Sequence, residues 1–310
     1  MVTNTFVTGA SCRDTIRRPV TILPSPVAAF ASNINTYNCA PFTLSASTNN
    51  SYSGIEWYVI SNSGAILFST SGVGLNYSPL NAGSYKLKML VYNSQGCKDS
   101  LETPFTVYPS PGVSFSVPDT VYCGPSASVT FTNTSPPPTT GTIGYSWYVN
   151  GVFESPNAGT FTHTFTLTPG ANSPQTFRVR LVATASMTGC APFFEKTITI
   201  LPLGQVNQVS NQLFCTGATV PPLSFTSQNT GGVTLYTWPN PNPNIGLPNN
   251  SGIAPVSTVP SFIATNNGFA PIIATMTIRP EFSFGGKSCP GNPMSYSITV
   301  NPTEIGRAHV

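Results

Sequence analysis

One four-residue phrase, Thr followed by Ile or Val, any residue and Pro, occurs four times and constrains the fold more than any other feature. The copies end at Pro24, Pro109, Pro202 and Pro302. Their spacings of 85, 93 and 100 residues are those of a small domain, and such repetition indicates tandem copies of one structural unit. Each phrase predicts a final β-strand that stops at proline, because proline has no N–H to continue a ladder.

The same landmarks recur in order between these prolines. Each copy has a first cysteine, an alternating strand, a tryptophan-bearing strand, a long late strand and a second cysteine. In the late strand of the first copy, Leu87 and Met89 alternate with Lys86 and Lys88. Alternation with a period of two predicts a strand with one face in the core and the other in water.

Short strands between Gly, Pro, Ser and Asn turns, without helical periodicity, predict an all-β chain of tandem antiparallel Ig-like β-sandwiches. We expect residues 25–109, 110–202 and 203–302 to form the three sandwiches, the third as a variant. Residues 1–24 then read as the C-terminal remnant of a preceding repeat. Residues 304–310 match the translation of a common sequencing adapter, so we expect residues 303–310 to be a non-native tail and the chain to be a fragment.

The composition is poor in catalytic groups. Only 7% of residues are charged, with nine Asp and Glu, twelve Lys and Arg, and two His. His163 has no acid or base beside it in the sequence, and no two acids lie close enough for a short calcium loop. No basic run and no stretch of eighteen apolar residues is present. We therefore expect no enzyme, no cofactor or metal, no nucleic-acid partner and no membrane span.

These residues resemble the PKD and PKD-like immunoglobulin-fold repeats of large bacterial surface proteins. The resemblance covers residues 25–302 and rests on the tryptophan strands, the Ala82–Tyr85 entry to the late strand, the Gly96-Cys97 and Gly189-Cys190 hairpins and the closing phrase. The acidic turn that commonly follows the tryptophan in that family is absent, so no role of that turn transfers. The resemblance implies an exported protein at the bacterial cell surface, similar to adhesins of the type IX secretion system of gliding bacteria.

The seven cysteines are an odd number, and two of them fall in each repeat. One pair per domain predicts the bonds Cys39–Cys97, Cys123–Cys190 and Cys215–Cys289, which leaves Cys12 as the second cysteine of an incomplete repeat. Pairing across neighbours (12–39, 97–123 and 190–215) is an alternative, and free buried thiols are a third. Strand counting puts the two cysteines of a sandwich at opposite ends, which argues against both pairing schemes.

Two kinds of surface residue, tyrosines and hydroxyl-bearing residues, are candidates for function. Trp57, Trp147 and Trp238 are expected in the core, whereas Tyr58 and Tyr148, on the opposite strand face, are candidate contacts for extracellular glycans or surface proteins. Three tripeptides, each with Asp first, Ser or Thr second and an aliphatic residue third, resemble an O-glycosylation acceptor of gliding bacteria. The acceptor hydroxyls would be those of Thr15, Ser100 and Thr120.

Two function classes remain open on the sequence. The first is a non-catalytic structural or adhesive stalk at the cell surface, built from a monomeric chain of repeats. The second is a carbohydrate-binding accessory module of a secreted hydrolase. Fold alone does not decide between them.

Overall fold

The regular elements of the chain are β-strands throughout the part that the structure, a computed structural model, describes: residues 16–138, 141–239, 244–248 and 256–303. No helix in these ranges is long and apolar enough to cross a membrane. The predictions for Cys12, Thr15 and the tail 304–310 concern residues outside the described ranges.

The described ranges contain twenty-five strands, and these group around three hydrophobic cores. The first group comprises β1 (Ala31–Ser32), β2 (Asn38–Cys39), β3 (Phe42–Ser47), β4 (Gly54–Ser61), β5 (Ile66–Ser71), β6 (Gly74–Leu80), β7 (Gly83–Tyr92) and β8 (Lys98–Tyr108). The second comprises β9 (Phe115–Ser116), β10 (Val121–Cys123), β11 (Ser126–Asn133), β12 (Ile143–Val149), β13 (Val152–Ser155), β14 (Thr160–Thr166), β15 (Gln175–Ala185) and β16 (Phe193–Leu201). The third comprises β17 (Gln212–Cys215), β18 (Thr219–Val220), β19 (Leu223–Ser224), β20 (Val233–Thr237), β21 (Thr258–Val259), β22 (Phe262–Ile263), β23 (Ile272–Phe284), β24 (Lys287–Pro290) and β25 (Met294–Asn301).

The first two groups are β-sandwiches with the same topology. In the first sandwich, a sheet in the order β1-β3-β6 faces a sheet in the order β2-β8-β7-β4-β5. In the second, β14-β11-β9 faces β10-β16-β15-β12-β13. A three-stranded and a five-stranded sheet around one core, with strands exchanged between the sheets along the chain, is the immunoglobulin-like arrangement. The predicted all-β, Ig-like fold class is confirmed.

The third group has a five-stranded sheet like the first two, but two small sheets replace the three-stranded sheet. Its larger sheet runs β17-β25-β23-β20, with β24 folded against β23, while two two-stranded sheets, β18-β22 and β19-β21, cover the opposite face of the core. The Trp238 segment, predicted as part of a strand, begins just after β20 ends at Thr237.

The alternating pattern of the late strand explains how it packs. Leu87, Met89 and Val91 of β7 are fully buried, while Lys86 and Lys88 point away from the core. Trp57, Trp147 and Trp238 are also buried, so the prediction that they are core residues is confirmed. The indole N–H of Trp57 donates to the carbonyl of Gly72 at 2.8 Å, and a buried tryptophan that finds such a partner avoids the cost of an unmade hydrogen bond.

The closing phrases end strands at three of the four predicted places. Strands β8, β16 and β25 each stop at the residue before proline. The copy at Thr21–Leu23 was predicted to be a fourth closing strand, and this is wrong: these residues form no strand, and Ile22 is 90% exposed. Within the described residues this segment has no neighbouring strand to complete its ladder.

The chain divides into two compact units. One runs up to Pro111 and takes in Ala185–Cys190, and the other comprises Gly112–Thr184 and continues from Ala191. Apart from the Ala185–Cys190 hairpin, the second sandwich therefore shares one unit with the third. The predicted boundaries at residues 109 and 202 stay a prediction.

Candidate functional site

Three cysteines occupy one equivalent position, which we call the edge cysteines: Cys39, Cys123 and Cys215. Each lies at the end of a short edge strand that pairs in parallel with the closing strand of its own sandwich. The Cα partners are Tyr108 for Cys39, Leu201 for Cys123 and Asn301 for Cys215, in each case the residue before the closing proline. The edge cysteine therefore marks the end of the sandwich at which the chain leaves.

The other three cysteines, which we call the hairpin cysteines, are Cys97, Cys190 and Cys289. Each lies in the hairpin that joins the late strand to the closing strand. The Cys97 hairpin is built by Asn93, whose side-chain oxygen accepts the N–H of Cys97 at 2.8 Å, and by Gly96, whose φ of 82° favours glycine. Cys289 pairs with Phe282 across its hairpin.

The two cysteines of one sandwich are far apart. In the first sandwich, Cys97 precedes the eleven-residue strand β8 and Cys39 pairs with its last residue, Tyr108. Because a strand rises about 3.3 Å per residue, roughly 30 Å separate the two cysteines. A disulfide needs Cα atoms about 4.4–6.8 Å apart, so pairing within one sandwich is excluded.

Both disulfides join the edge cysteine of one repeat to the hairpin cysteine of the next. Cys39 is bonded to Cys190 with a Cα–Cα distance of 5.6 Å, and Cys123 to Cys289 with a distance of 5.5 Å. The predicted pairs Cys39–Cys97, Cys123–Cys190 and Cys215–Cys289 are therefore wrong. So is the neighbour alternative, since Cys97 is free, as is Cys215.

The Cys123–Cys289 bond lies in a small apolar cluster of its own. Leu201, Phe282 and Cys289 are fully buried there, and Val121 and Cys123 pack against them. Leu201 and Val121 come from the second sandwich and Phe282 from the third, so this cluster removes apolar surface from water where the two meet. The disulfide is thus part of a packed junction.

An ion pair stands beside this bond. Lys287 Nζ donates to Asp119 Oδ2 at 2.9 Å, and Asp119 Oδ1 accepts the N–H of Thr120 at 2.7 Å. The hydrogen bond from Lys287, followed by those from the Val121 and Thr120 N–H groups, holds the pKa of Asp119 below its ordinary value. Asp119 thus joins the polar rim of the junction to the turn that begins the edge strand.

The linker after Pro202 is held tightly against the third sandwich. The N–H of Gly204 donates to the carbonyl of Cys289 at 3.2 Å, and a Cβ at Gly291 would overlap the carbonyl oxygen of Gly204. The N–H of Thr230 donates to the carbonyl of Asn172 at 2.8 Å, which adds a contact between the two sandwiches. A cleft of about 530 Å³ beside this linker is lined by proline, glycine, amide and apolar residues and by no ionisable side chain.

Tyr58 lies in a polar row on the outer face of the first five-stranded sheet. It pairs with Lys88 of β7, and Lys88 pairs with Glu102 of β8, to which its Nζ lies 3.0 Å away. The Tyr58 hydroxyl donates to Glu56 at 2.5 Å, and that bond, with some desolvation, raises the pKa of Tyr58. The hydrogen bond from Lys88 lowers the pKa of Glu102.

Tyr148 lies on the outer face of the five-stranded sheet of the second sandwich, between the buried Trp147 and Val149. Its ring packs edge-on against Phe153 at 5.8 Å, and it lies on β12, next to β15. On β15, Arg180 is 3.0 Å from Glu195 of β16 and also lies over the Phe193 ring. We call these two sets, Tyr58–Lys88–Glu102 and Tyr148–Arg180–Glu195, the tyrosine rows.

The third sandwich has hydroxyl groups where the others have charges. Thr277 and Ser295 pair at the ladder position of the Lys88–Glu102 pair, and their oxygens are 3.2 Å apart. No ion pair replaces them in the described part of that sheet. The tyrosine row is therefore a property of the first two sandwiches.

Two of the three predicted glycosylation residues are described, and both are exposed. Ser100 lies on β8, and Thr120 lies in the turn before β10. The acid before each has a structural contact: Asp99 accepts the N–H of Ala28 at 2.7 Å, and Asp119 forms the junction pair. Whether the hydroxyls are modified stays a prediction.

One neighbour of His163 was missed by the sequence. Glu154 Oε2 lies 3.6 Å from His163 Nδ1, although nine residues separate them, because β13 and β14 meet at the edge of the second sandwich. No sequence pattern indicates this contact, since it depends on where two sheets end. Within the described ranges, no group of three or more His, Cys, Asp or Glu side chains could hold a metal ion.

Comparisons with known proteins find only distant structural similarity. No protein-family model matches the chain, and no curated protein does. Among solved structures, three N-terminal domains of the Hoc outer capsid protein of bacteriophage RB49 are 12% identical over 89% of this chain and all of that one, with a TM-score of 0.41. Fibronectin(III)-like modules of CbhA from Clostridium thermocellum are 16% identical over 56% of this chain and 94% of theirs, with a TM-score of 0.31. A structure from a 1.5-MDa bacterial ice-binding adhesin is 14% identical over 90% of this chain and all of that one, with a TM-score of 0.27.

Proposed function

We propose that this chain belongs to the tandem-repeat region of a bacterial cell-surface protein, PKD-like in type, with a non-catalytic, load-bearing role as stalk or adhesive spacer. Its Ig-like sandwiches bury their tryptophans, and the outer faces of their strands are open to solvent. Disulfides persist in oxidising compartments, so the two bonds support an extracellular location.

The observation that best supports the proposal is that each disulfide joins one repeat to the next repeat along the chain. A bond within a sandwich would protect that sandwich alone, whereas Cys39–Cys190 and Cys123–Cys289 each connect successive repeats. The two closed loops interleave, because Cys123 lies between Cys39 and Cys190 in the sequence. A covalent path therefore runs from repeat to repeat without following the whole backbone.

This path limits how far the chain can extend under tension. Between Cys39 and Cys289 the backbone spans 250 positions (289 − 39). The shortest covalent route crosses one disulfide, follows the 67 positions from Cys190 back to Cys123 (190 − 123), and crosses the other. At about 3.5 Å per extended residue, the bonds withhold roughly 600 Å of extension. Such a limit suits a spacer that is pulled at both ends.

Single-molecule pulling of residues 25–302 from both ends tests the proposal. We expect the extension at full unfolding to grow by about 600 Å when a reductant is added. The double variant Cys97→Ser and Cys215→Ser is the matched control and should behave as the parent does, since neither residue is bonded. Equal extension with and without reductant would refute the load-bearing role.

The runner-up function is a carbohydrate-binding accessory module, and the tyrosine rows favour it. An aromatic ring beside a cation and a carboxylate on an open sheet face offers both stacking and hydrogen bonds to a sugar. Pull-down on insoluble polysaccharides tests it, with Tyr58→Ala and Tyr148→Ala as variants and Thr277→Ala in the third sandwich as control. Retention that depends on the two tyrosines would favour this function, and no retention would dismiss it.

The glycosylation proposal concerns the exposed hydroxyls of Ser100 and Thr120. Both follow an aspartate and precede an aliphatic residue, and both are accessible to a modifying enzyme. Intact mass and peptide mapping of protein from its native producer would show hexose-bearing peptides at these residues. Unmodified peptides at both would refute this proposal and leave the load-bearing role untouched.

A further inference from the structure

We propose that Cys215 and Cys97 are docking sites for two further repeats of the same class: Cys215 takes the hairpin cysteine of a repeat that follows, and Cys97 takes the edge cysteine of a repeat that precedes. The inference rests on the repeat-region function proposed above and names its partner. The chemistry of the partner is a cysteine held in an Ig-like repeat.

The first support is positional equivalence. Cys215 ends an edge strand and pairs with the residue before the closing proline, as Cys39 and Cys123 do. Both of those are bonded to the hairpin cysteine of the next repeat. Cys215 is the edge cysteine of the last repeat, and it is the one that is free and exposed.

The second support is an uncovered apolar side chain beside Cys215. In the bonded junction, Val121 pairs with Thr199 and packs in the cluster of Leu201, Phe282 and Cys289. Leu213 holds the same ladder position in the third sandwich, since it pairs with Thr299, yet it is 66% exposed. Burying Leu213 against a hairpin like that of Phe282 would repeat the contacts of Val121.

Cys97 shows the complementary half of the pattern. It lies in the hairpin that joins β7 to β8, as Cys190 lies between β15 and β16 and Cys289 between β23 and β25. Those two are fully buried and bonded to the edge cysteine of the repeat before them, whereas Cys97 is free and partly exposed. The two cysteines that are free among the described residues are thus the two whose partners would come from outside the three repeats.

Bond formation at these sites balances as thiol–disulfide exchange. Two protein thiols give up two protons and two electrons, and one oxidised glutathione accepts them to become two reduced glutathiones. The thiolate of one cysteine first attacks glutathione disulfide, and the second cysteine then displaces the bound glutathione. A glutathione redox buffer therefore supplies the oxidant in the test.

The first experiment extends the chain at its C-terminal side with a second copy of residues 203–302 placed after Pro302. The copy carries Cys215→Ser, so that the Cys215 peptide is unique. After equilibration in glutathione buffer, we expect non-reducing peptide mapping to join Cys215 to a Cys289 peptide. Alkylation of Cys215 should fall at least tenfold against a control copy that also carries Cys289→Ser.

The second experiment extends the other side with a copy of residues 25–109 placed before Ser25, the copy carrying Cys97→Ser. Here we expect a bond between Cys97 and a Cys39 peptide, lost when the copy carries Cys39→Ser. The two arms use different repeats, so failure of one copy to fold does not decide the result. If the Cys123–Cys289 bond forms while Cys215 and Cys97 both stay alkylatable, the proposal is overturned. The extension measured with and without reductant stands apart from this outcome and tests the load-bearing role alone.

Discussion

Cys123 of the second sandwich is bonded to Cys289 of the third, and Lys287, two residues before Cys289, donates to Asp119, four residues before Cys123. A covalent bond and a charge pair thus connect the same two turns. The apolar cluster of Leu201 and Phe282 lies with them. The junction combines three kinds of interaction, each of which can be removed separately.

The disulfide should contribute most to stability. The double variant Cys123→Ser and Cys289→Ser removes a bond that closes a loop of 166 residues, and loss of such a bond costs about 2–5 kcal/mol. Guanidinium unfolding would show it as a lower midpoint. The matched double variant Cys97→Ser and Cys215→Ser should leave the midpoint unchanged, and an equal drop in both would contradict the assigned pairs.

The Lys287–Asp119 pair should make stability depend on acid pH. The folded state holds the pKa of Asp119 below its ordinary value, so its contribution is present above about pH 4 and is lost as the pH falls through the lowered value. Lys287→Ala should therefore unfold at a lower urea concentration than the parent at pH 7, with the two curves converging in stronger acid. If the difference in urea midpoint between the two proteins is unchanged in strong acid, the loss of stability comes from packing of the lysine side chain and not from its charge.

Trp147 and Tyr148 form a test of the strand faces, because they are neighbours on β12 with opposite orientations. Trp147 is fully buried and its N–H donates to the carbonyl of Asn157 at 2.9 Å, so Trp147→Ala should cost about 3–5 kcal/mol. Tyr148→Ala loses mainly its edge-on contact with Phe153, which is worth about 1 kcal/mol. Chemical unfolding of both variants checks the ranking, and a reversed ranking would contradict the register.

Tyr296 should ionise well above an ordinary tyrosine. Burial on β25 raises the pKa of Tyr296 to about 12 from 10.0. Because the unfolded chain ionises first, stability contributed by this residue is present below about pH 10 and declines until the pH reaches the folded value. The absorbance of parent and Tyr296→Phe at 295 nm should be titrated side by side. The parent should show one ionisation step that the variant lacks, near pH 12 when the protein is folded and near pH 10 in guanidinium. If that step lies near pH 10 in both states, Tyr296 is not buried.

The sequence predicted what depends on local pattern. Alternation in β7 placed Leu87 and Met89 in the core, and the closing prolines stopped β8, β16 and β25 where expected. The repeat also identified the cysteines as two equivalent sets. These features follow from side-chain period and from proline's missing N–H, which act over a few residues.

The sequence did not predict what depends on the ends of the sandwiches. The choice of Cys190 over Cys97 as partner of Cys39 requires knowing that a closing strand about 30 Å long separates the two cysteines of one repeat. Strand counting raised this objection but supplied no third pairing. The contact of Glu154 with His163 and the pairing of Lys287 with Asp119 depend likewise on which loops meet.

The most direct test is a disulfide map of the intact chain, digested without reduction after free thiols are blocked. Pairing between successive repeats predicts a Cys39 peptide joined to a Cys190 peptide and a Cys123 peptide joined to a Cys289 peptide, with Cys97 and Cys215 carrying the blocking group. Peptides that join Cys39 to Cys97 or Cys123 to Cys190 would show bonds closed within each repeat and would contradict it.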